Sequence, residues 1–176
     1  VAGIDYGEIK NQVATISAGT TSTTVTVDVI AENLVELDET FTVNLSDPKF
    51  DGATDFSRFV IGDGSGTGTI LNDDTATLSI DDVTQVETDS GTTNFVFTVS
   101  SELAASKDIT ALINTSDLLQ AVAGTDYNAL TNQLATVPAG ETSTTVTVEV
   151  NGEYVFETDE TFTANLSAPS FNDMTD

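Results

Sequence analysis

The chain has 176 residues, of which 39% are hydrophobic, so it is long enough to bury the core of one large or two small domains. Its 29 acidic residues against four basic ones give a formal charge of −25, which repels nucleic acids and anionic membranes and favours divalent cations or a high-salt medium. The chain has no cysteine and no histidine, which excludes disulfides, Cys/His zinc sites, thiol catalysis and Ser-His-Asp hydrolysis.

Alternating patterns predict β-strands along the first part of the chain. Phe41, Val43 and Leu45 alternate with the polar residues between them. A period of two with β-branched and aromatic residues is typical of half-buried strands. We therefore predict strands at 12–17, 24–29, 40–45 and 66–71.

The second part of the chain continues the same pattern, apart from a possible short helical turn within 112–119. No apolar run approaches the roughly 20 residues that a membrane helix needs, so we expect no membrane insertion. Many short antiparallel strands with regular turns predict an all-β fold of immunoglobulin-like β-sandwiches. The further predicted strands are 75–80, 93–100, 108–114, 133–137, 144–150 and 161–166.

A long internal repeat divides the chain. Residues 1–55 align with 122–176 without a gap, and 33 of these 55 positions are identical, so the period is 121 residues. GTGTILNDD ends at Asp74, and TATLSIDD starts at Thr75 without a flexible linker. We therefore predict two stiffly coupled tandem domains, namely 1–74, which lacks its first strands, and 75–176, which lacks its last strand.

Both predicted domains would leave strand edges unpaired. Two explanations are open. The sequence is an excerpt from a long tandem array, or separate chains complete one another head to tail by exchanging strands, as in donor-strand complementation. Asp176 aligns with Asp55, so a polymer of either kind would continue in phase with Phe56.

One acidic stretch occurs twice, as ENLVELDETFTVNLS at 32–46 and as EYVFETDETFTANLS at 153–167. Each copy places four carboxylates within eight residues, directly before a predicted strand. Carboxylates at this spacing repel one another unless a cation or open water separates them. The stretch is therefore a candidate hard-cation site at the end of a β-sandwich.

Five motifs in a fixed order resemble the Calx-β domain family. They are GxDY, AG(T/E)T, a valine-alternating strand, ExxxExDExF and GTGTILNDD. Residues 1–74 resemble the later two thirds of the domain, and 75–176 resemble all of it except the last strand. The resemblance implies an immunoglobulin-like sandwich, which in many members binds Ca²⁺ at the end near the next domain.

The resemblance also implies a set of calcium ligands. Ca²⁺ takes about 6–8 oxygen ligands, and three separate loops of each domain would supply them. The implied ligands are Asp5, Glu32, Glu36, Asp73 and Asp74 in the first repeat, and Glu87, Asp126, Glu153 and Glu157 in the second.

The acidic loop departs from the family pattern in one respect. Strongly binding members carry consecutive aspartates at its start, whereas this chain has Ala31-Glu32-Asn33 and Gly152-Glu153-Tyr154. One expected carboxylate is missing from each copy, so we expect fewer ions or weaker binding, in the millimolar range.

Other residues of the same motifs are not interpreted as calcium ligands. Asp38 and Glu39, with their copies Asp159 and Glu160, are interpreted as solvated residues at the start of a strand. Tyr6 and Tyr127 are interpreted as packing residues rather than ligands.

The sequence thus predicts a non-enzymatic structural repeat of a long extracellular adhesin, matrix or filament protein, in which Ca²⁺ stiffens the junctions between neighbouring repeats. An extracellular or cell-surface location in a bacterium fits the acidic, cysteine-free composition. Two alternatives remain. One is a sandwich that binds carbohydrate or another protein, which would expose aromatic residues at one tip. The other is a Ca²⁺-sensor module of a larger membrane protein.

Overall fold

A computed structural model describes residues 1–50, 52–54 and 59–171. Within these residues all regular structure is β, and no helix is present that could cross a membrane. The prediction of an all-β fold with antiparallel sheets is therefore confirmed. The strands are β1 (Glu39–Asn44), β2 (Lys49–Phe50), β3 (Ala53–Thr54), β4 (Ser65–Ile70), β5 (Leu78–Ile80), β6 (Gly91–Ser101), β7 (Ile109–Leu118), β8 (Gln133–Val137), β9 (Ser143–Gly152) and β10 (Thr161–Phe171).

The chain divides into two compact units. The first comprises Val1–Glu32 and Leu37–Asn72, and the second comprises Asn33–Glu36 and the described residues from Asp73 onward. The second unit contains two three-stranded antiparallel sheets, in the orders β5-β6-β9 and β10-β7-β8. The longest ladder, between β6 and β9, runs from the pair Gly91–Gly152 to the pair Ser100–Ser143.

Alternation along the strands of the second unit builds its core. In β6, Phe97 and Val99 are buried while the residues between them are partly exposed, as expected of a strand with one face on a core. The same period buries alternate residues of β7 and β9, which places apolar side chains from both sheets together. Three buried clusters result, formed by Phe97, Ala121, Tyr127, Val148 and Val150, by Val99, Ile113 and Ala135, and by Ala105, Ile109 and Val137.

The first unit contains two antiparallel strand pairs among its described residues, β1 with β4 and β2 with β3. The predicted strands at 12–17 and 24–29 do not form, although their copies form β8 and β9. In the second unit β8 pairs with β7, and β9 pairs with β6. In the first unit Val29 forms only an isolated bridge with Tyr6, and the Asp28 carbonyl accepts the Gly7 N–H. Among the described residues of this unit no strand takes the place of β6 or β7, so neither segment is paired along its length.

The predicted helical turn within 112–119 is wrong, because residues 112–118 lie in β7. Its residues pair with β10, for example Asp117 with Phe162 and Thr115 with Ala164. Cross-strand pairing together with the β-branched Thr115 outweighs the local turn signal of Thr-Ser-Asp.

Candidate metal site

A tight turn holds the aspartate of the second GxDY motif in place. In the second unit the backbone N–H of Val122 donates to Asp126 Oδ2 at 2.6 Å, and the N–H of Asn151 donates to the Asp126 carbonyl at 2.8 Å. Gly124 lies in this turn with φ of 86°, a left-handed conformation that glycine adopts without steric cost. The GxDY motif therefore fixes the direction of the aspartate carboxylate.

The second unit brings three predicted ligands together. Asp126, Glu153 and Glu157 each offer one carboxylate oxygen, and these three oxygens lie within 4.8 Å of one another. Asp126 comes from the tight turn, whereas Glu153 and Glu157 come from the acidic loop between β9 and β10. Two loops that are distant in sequence thus meet at one end of this unit.

Two carboxyl groups at this cluster have raised pKa values. A hydrogen bond with Glu157, followed by burial and by the charges of Glu157, Asp126 and Glu87, raises the pKa of Glu153 above its usual value. Burial, followed by the charges of Asp126 and Glu157, raises the pKa of Glu160 to about 7. Repulsion from neighbouring carboxylates contributes to both shifts, after the hydrogen bond at Glu153 and the burial at Glu160.

The arrangement fits a hard cation such as Ca²⁺. Ligand oxygens at about 2.3–2.6 Å from one ion lie at most about 5 Å from one another, which matches the spacing of the three carboxylate oxygens. All the donors are oxygens, as Ca²⁺ prefers. A divalent cation held by Asp126, Glu153 and Glu157 would offset the repulsion that raises the two pKa values.

In the first unit the corresponding turn contains Asp5, which is 5% exposed. Asp5 Oδ2 contacts the nitrogen of Val1, which is the same contact that the backbone nitrogen of Val122 makes with Asp126. A carboxylate oxygen of Asp5 also lies within 4.8 Å of one from Glu39. This unit therefore repeats the direction of the turn aspartate and places a second carboxylate beside it.

The remaining predicted ligands lie in varied surroundings. Glu36 is half-buried in the segment 33–36, which belongs to the second unit. In the same unit Asp74 accepts a hydrogen bond from the Leu34 N–H at 3.1 Å. Glu32, Asp73 and Glu87 are exposed, and among the described residues none of them joins a cluster of three acids at this spacing.

The interpretation as solvated residues at the start of a strand holds for Asp38 but is wrong for Glu39 and Glu160. Asp38 Oδ1 accepts the N–H of Asn72 at 3.0 Å, so it fixes the end of the β1–β4 pair. Glu39 and Glu160, however, are half-buried and lie beside the aspartate of their own repeat. The signal that could have found them is the alternation of the strand, which turns these glutamates away from the neighbouring Asp38 and Asp159.

The packing role of the two tyrosines is confirmed. Tyr127 is 1% exposed and stacks on Phe162, with ring centroids 4.4 Å apart. Its hydroxyl donates to Asp117 Oδ1 at 2.7 Å. Burial, followed by the hydrogen bond to Asp117, raises the pKa of Tyr127 to about 12. Tyr6 stacks on Phe41, with centroids 4.5 Å apart.

A model of the Calx-beta domain matches residues 1–75 and 71–175. Sequence comparison with curated proteins gives no match. Among solved structures, the apo form of the Calx CBD1 domain is 31% identical over 44% of this chain and 66% of that chain, with a TM-score of 0.40. CBD12 from CALX1.2 is 18% identical over 85% of this chain and 56% of that chain, with a TM-score of 0.45.

The chain thus spans less than two thirds of the length of either solved structure. The Calx-beta domain is a Ca²⁺-binding regulatory or structural module of larger proteins and not a class of enzyme. Because the family model matches both halves, with the acidic loops and the GxDY turns inside the matched ranges, the chain belongs to the Calx-beta domain family.

Proposed function

We propose that this chain is a Ca²⁺-binding structural repeat of a long extracellular adhesin, matrix or filament protein on the surface of a bacterium. Its partners are neighbouring repeats of the same protein, and Ca²⁺ stiffens the junctions between them. The cysteine-free, strongly acidic composition supports an extracellular location, where Ca²⁺ at millimolar concentration would fill sites of modest affinity.

The observation that carries the proposal is the convergence of Asp126, Glu153 and Glu157 within 4.8 Å, beside a Glu160 whose pKa is raised to about 7. Clustered carboxylates destabilise the fold when no cation is bound, and a cation that binds only the folded state stabilises it by mass action. The same acidic loop recurs at 32–39, so each repeat would offer such a site. A site that recurs in every repeat supports a structural role.

The proposal is tested by calorimetric titration of the full chain with Ca²⁺ and with Mg²⁺. We expect Ca²⁺ to bind in the millimolar range, and Glu157→Gln to weaken binding at the second-unit site by about tenfold or more, because affinity follows the charge and number of ligands. The matched control is Asp159→Asn, which removes one charge from an exposed residue of the same loop outside the cluster.

The two variants separate a specific site from a general attraction to an acidic surface. If Asp159→Asn weakens binding as much as Glu157→Gln, the cation is attracted by overall charge and the proposed site is wrong. The absence of any Ca²⁺ binding heat and of any Ca²⁺-dependent stabilisation would contradict the function itself.

A second candidate function is supported by the tip of the same loop. Tyr154 is 88% exposed and Phe156 is fully exposed, as a sandwich that binds carbohydrate or protein would require. We propose this binding module as the alternative. If it is correct, Tyr154→Ala abolishes binding of a soluble oligosaccharide or surface protein while calcium binding at Asp126 stays unchanged.

A further inference from the structure

The two copies of the acidic loop have opposite surroundings. The alignment that matches Glu32 with Glu153 and Glu36 with Glu157 also matches Asn33-Leu34-Val35 with Tyr154-Val155-Phe156. The flanking carboxylates are identical, but the three residues between them differ and become more aromatic in the second copy.

The first copy of the segment belongs to the second unit, where Val35 forms a single β-bridge. The Val35 N–H donates to the Ala104 carbonyl at 3.0 Å, and the Ser106 N–H donates to the Val35 carbonyl at 3.0 Å. These bonds form a parallel bridge between Val35 and Ala105. Val35 adds its backbone to an edge of the unit, as in peptide recognition by strand addition.

The side chain of Val35 enters an apolar cleft at the same place. It is half-buried and packs against the cluster of Ala105, Ile109 and Val137. The neighbouring Leu34 N–H donates to Asp74. We call the edge at 104–106 together with the cluster of Ala105, Ile109 and Val137 the receiving cleft.

The second copy of the segment has no such cover among the described residues. Phe156 is 102% exposed, Tyr154 is 88% exposed and Val155 is 58% exposed. Three consecutive apolar residues with this exposure on a chain of charge −25 are typical of a surface that another protein covers.

We propose that the segment 154–156 binds the receiving cleft of a further Calx-beta repeat, with Phe156 in the position that Val35 occupies on this one. The proposal rests on the proposed function in taking further repeats as the neighbours, but it requires no bound cation. The partner would offer a backbone carbonyl and an N–H on either side of a small residue, next to apolar side chains equivalent to Ile109 and Val137.

Charge supports this partner over a carbohydrate or an acidic surface. The segment lies between Glu153 and Glu157, whereas the receiving cleft is followed directly by Lys107, one of only four basic residues in the chain. The receiving cleft of this chain is already filled by Val35, so two copies of the chain should not bind each other through it.

The test uses the full chain and an extended protein in which a second copy of residues 56–171 follows Asp176, in phase with the repeat. The native sequence has no cysteine, so a single introduced thiol reports its own accessibility. We expect the thiol of Phe156→Cys to react rapidly in the 176-residue chain and at least about tenfold more slowly in the extended protein, since a covered residue reacts only after local opening.

Two variants serve as controls. Val35→Cys should react slowly in both proteins, because its segment is already bound. Val86→Cys, at a residue that is 86% exposed, should react rapidly in both. Hydrogen exchange of the unmodified proteins gives a second measurement that needs no substitution. The Val35 amide should be protected in both proteins and the Phe156 amide only in the extended one.

Each result decides the proposal. Rapid reaction of Phe156→Cys in both proteins, with Val35→Cys protected, would overturn it. Rapid reaction of Val35→Cys would remove the contact from which it is inferred. Concentration-dependent protection of Phe156 in the 176-residue chain would show that a second copy, not a further repeat, is the partner. The labelling is repeated with chelator and with Ca²⁺, and calcium binding itself is measured by calorimetry. A failure of this contact is thereby distinguished from a failure of calcium binding.

Discussion

At the scale of single residues, the two repeats place the same amino acids in different surroundings. Tyr127 is buried and donates to Asp117, whereas its copy Tyr6 stacks on Phe41 and has no counterpart of Asp117 within the sequence. The repeat therefore supplies matched pairs of residues, in which one member keeps a contact that the other lacks.

We predict that Tyr127→Phe lowers the free energy of unfolding by about 1–2 kcal/mol at pH 7, because it removes a hydrogen bond to a carboxylate. The pKa of Tyr127 is raised to about 12 from an ordinary value of 10, so its contribution is full below pH 10 and is lost as the pH rises to 12. Urea unfolding at pH 7 and at pH 11.5 should therefore show a smaller difference between variant and wild type at the higher pH.

The control for this prediction is Tyr6→Phe, which keeps the ring stacked on Phe41 and should change the stability by less than about 0.5 kcal/mol. A difference between Tyr127→Phe and wild type that is constant across this pH range would contradict the role given to the hydroxyl.

The second residue-scale prediction concerns Glu160. Its pKa of about 7 lies above the ordinary value of 4.5, so the protonated form of Glu160 stabilises the fold below pH 4.5. This stabilisation is lost as the pH rises through about 7, where the ionised carboxylate repels Asp126 and Glu157. With Ca²⁺ chelated at pH 8, Glu160→Gln should raise the free energy of unfolding by about 1 kcal/mol, a value reduced for solvent screening.

Thermal unfolding at pH 8 and at pH 5 measures this effect, which should largely disappear at pH 5. Asp159→Asn is the matched control, since it removes one charge from the adjacent exposed residue. Equal stabilisation by both variants would mean that Glu160 responds only to the net charge of the chain.

How far the sequence predicts the site differs from residue to residue. The repeated acidic loop points to Glu153 and Glu157, and the resemblance to the Calx-β family adds Asp126 of the GxDY motif. Glu160 is missed because its position at the start of a strand suggests solvation. The alternation of the strand separates the direction of Glu160 from that of Asp159, but only the fold shows that this strand begins near Asp126.

At the scale of elements, alternation predicts a strand reliably where a partner strand exists. The segment 144–150 forms β9 on β6, whereas the nearly identical segment 24–29 forms no strand in a unit that has no counterpart of β6. The alternation predicts which side chains a strand would bury, but the strand forms only where a partner strand pairs with its backbone. The short β2–β3 pair, which carries no alternation, was not predicted.

The GTGT motif of β4 has an explanation at this scale. Gly68 lies directly opposite Phe41 in the β1–β4 pair, and a methyl group at Gly68 would overlap the Phe41 ring. Gly66, two residues earlier on the same face of β4, has open space around its Cα. The Phe41 ring thus occupies the space where a side chain at Gly68 would lie, whereas the corresponding space at Gly66 is open.

We predict that Gly68→Ala destabilises the β1–β4 pair by about 1–3 kcal/mol through overpacking, whereas Gly66→Ala is neutral or slightly stabilising. Hydrogen exchange of the amides in β1 and β4 measures the effect locally. Combining Gly68→Ala with Phe41→Leu should restore much of the protection. Equal effects of the two alanine substitutions would show that the aromatic contact does not determine the glycine.

At the scale of the whole molecule, the repeat is the feature that sequence reasoning predicts most completely. A period of 121 residues, five ordered motifs and a charge of −25 lead to the Calx-beta family and to a carboxylate site. What the period alone could not show is that the segment 33–36 belongs to the second unit while its copy at 154–157 lies exposed. The two copies also differ in sequence, as Asn33-Leu34-Val35 in the first and Tyr154-Val155-Phe156 in the second.

The central claim is that a divalent cation stabilises the fold through the clustered carboxylates. The most direct measurement is the melting midpoint of the full chain in chelator, in Ca²⁺, and in NaCl at matched ionic strength. At a Ca²⁺ concentration about 100 times the Kd, the expected stabilisation is about 2.7 kcal/mol. For a chain of this size that corresponds to a rise of about 5–10 °C. We predict this rise with Ca²⁺ and a much smaller one with NaCl, and a midpoint that Ca²⁺ leaves unchanged, or that NaCl raises equally, would contradict the claim.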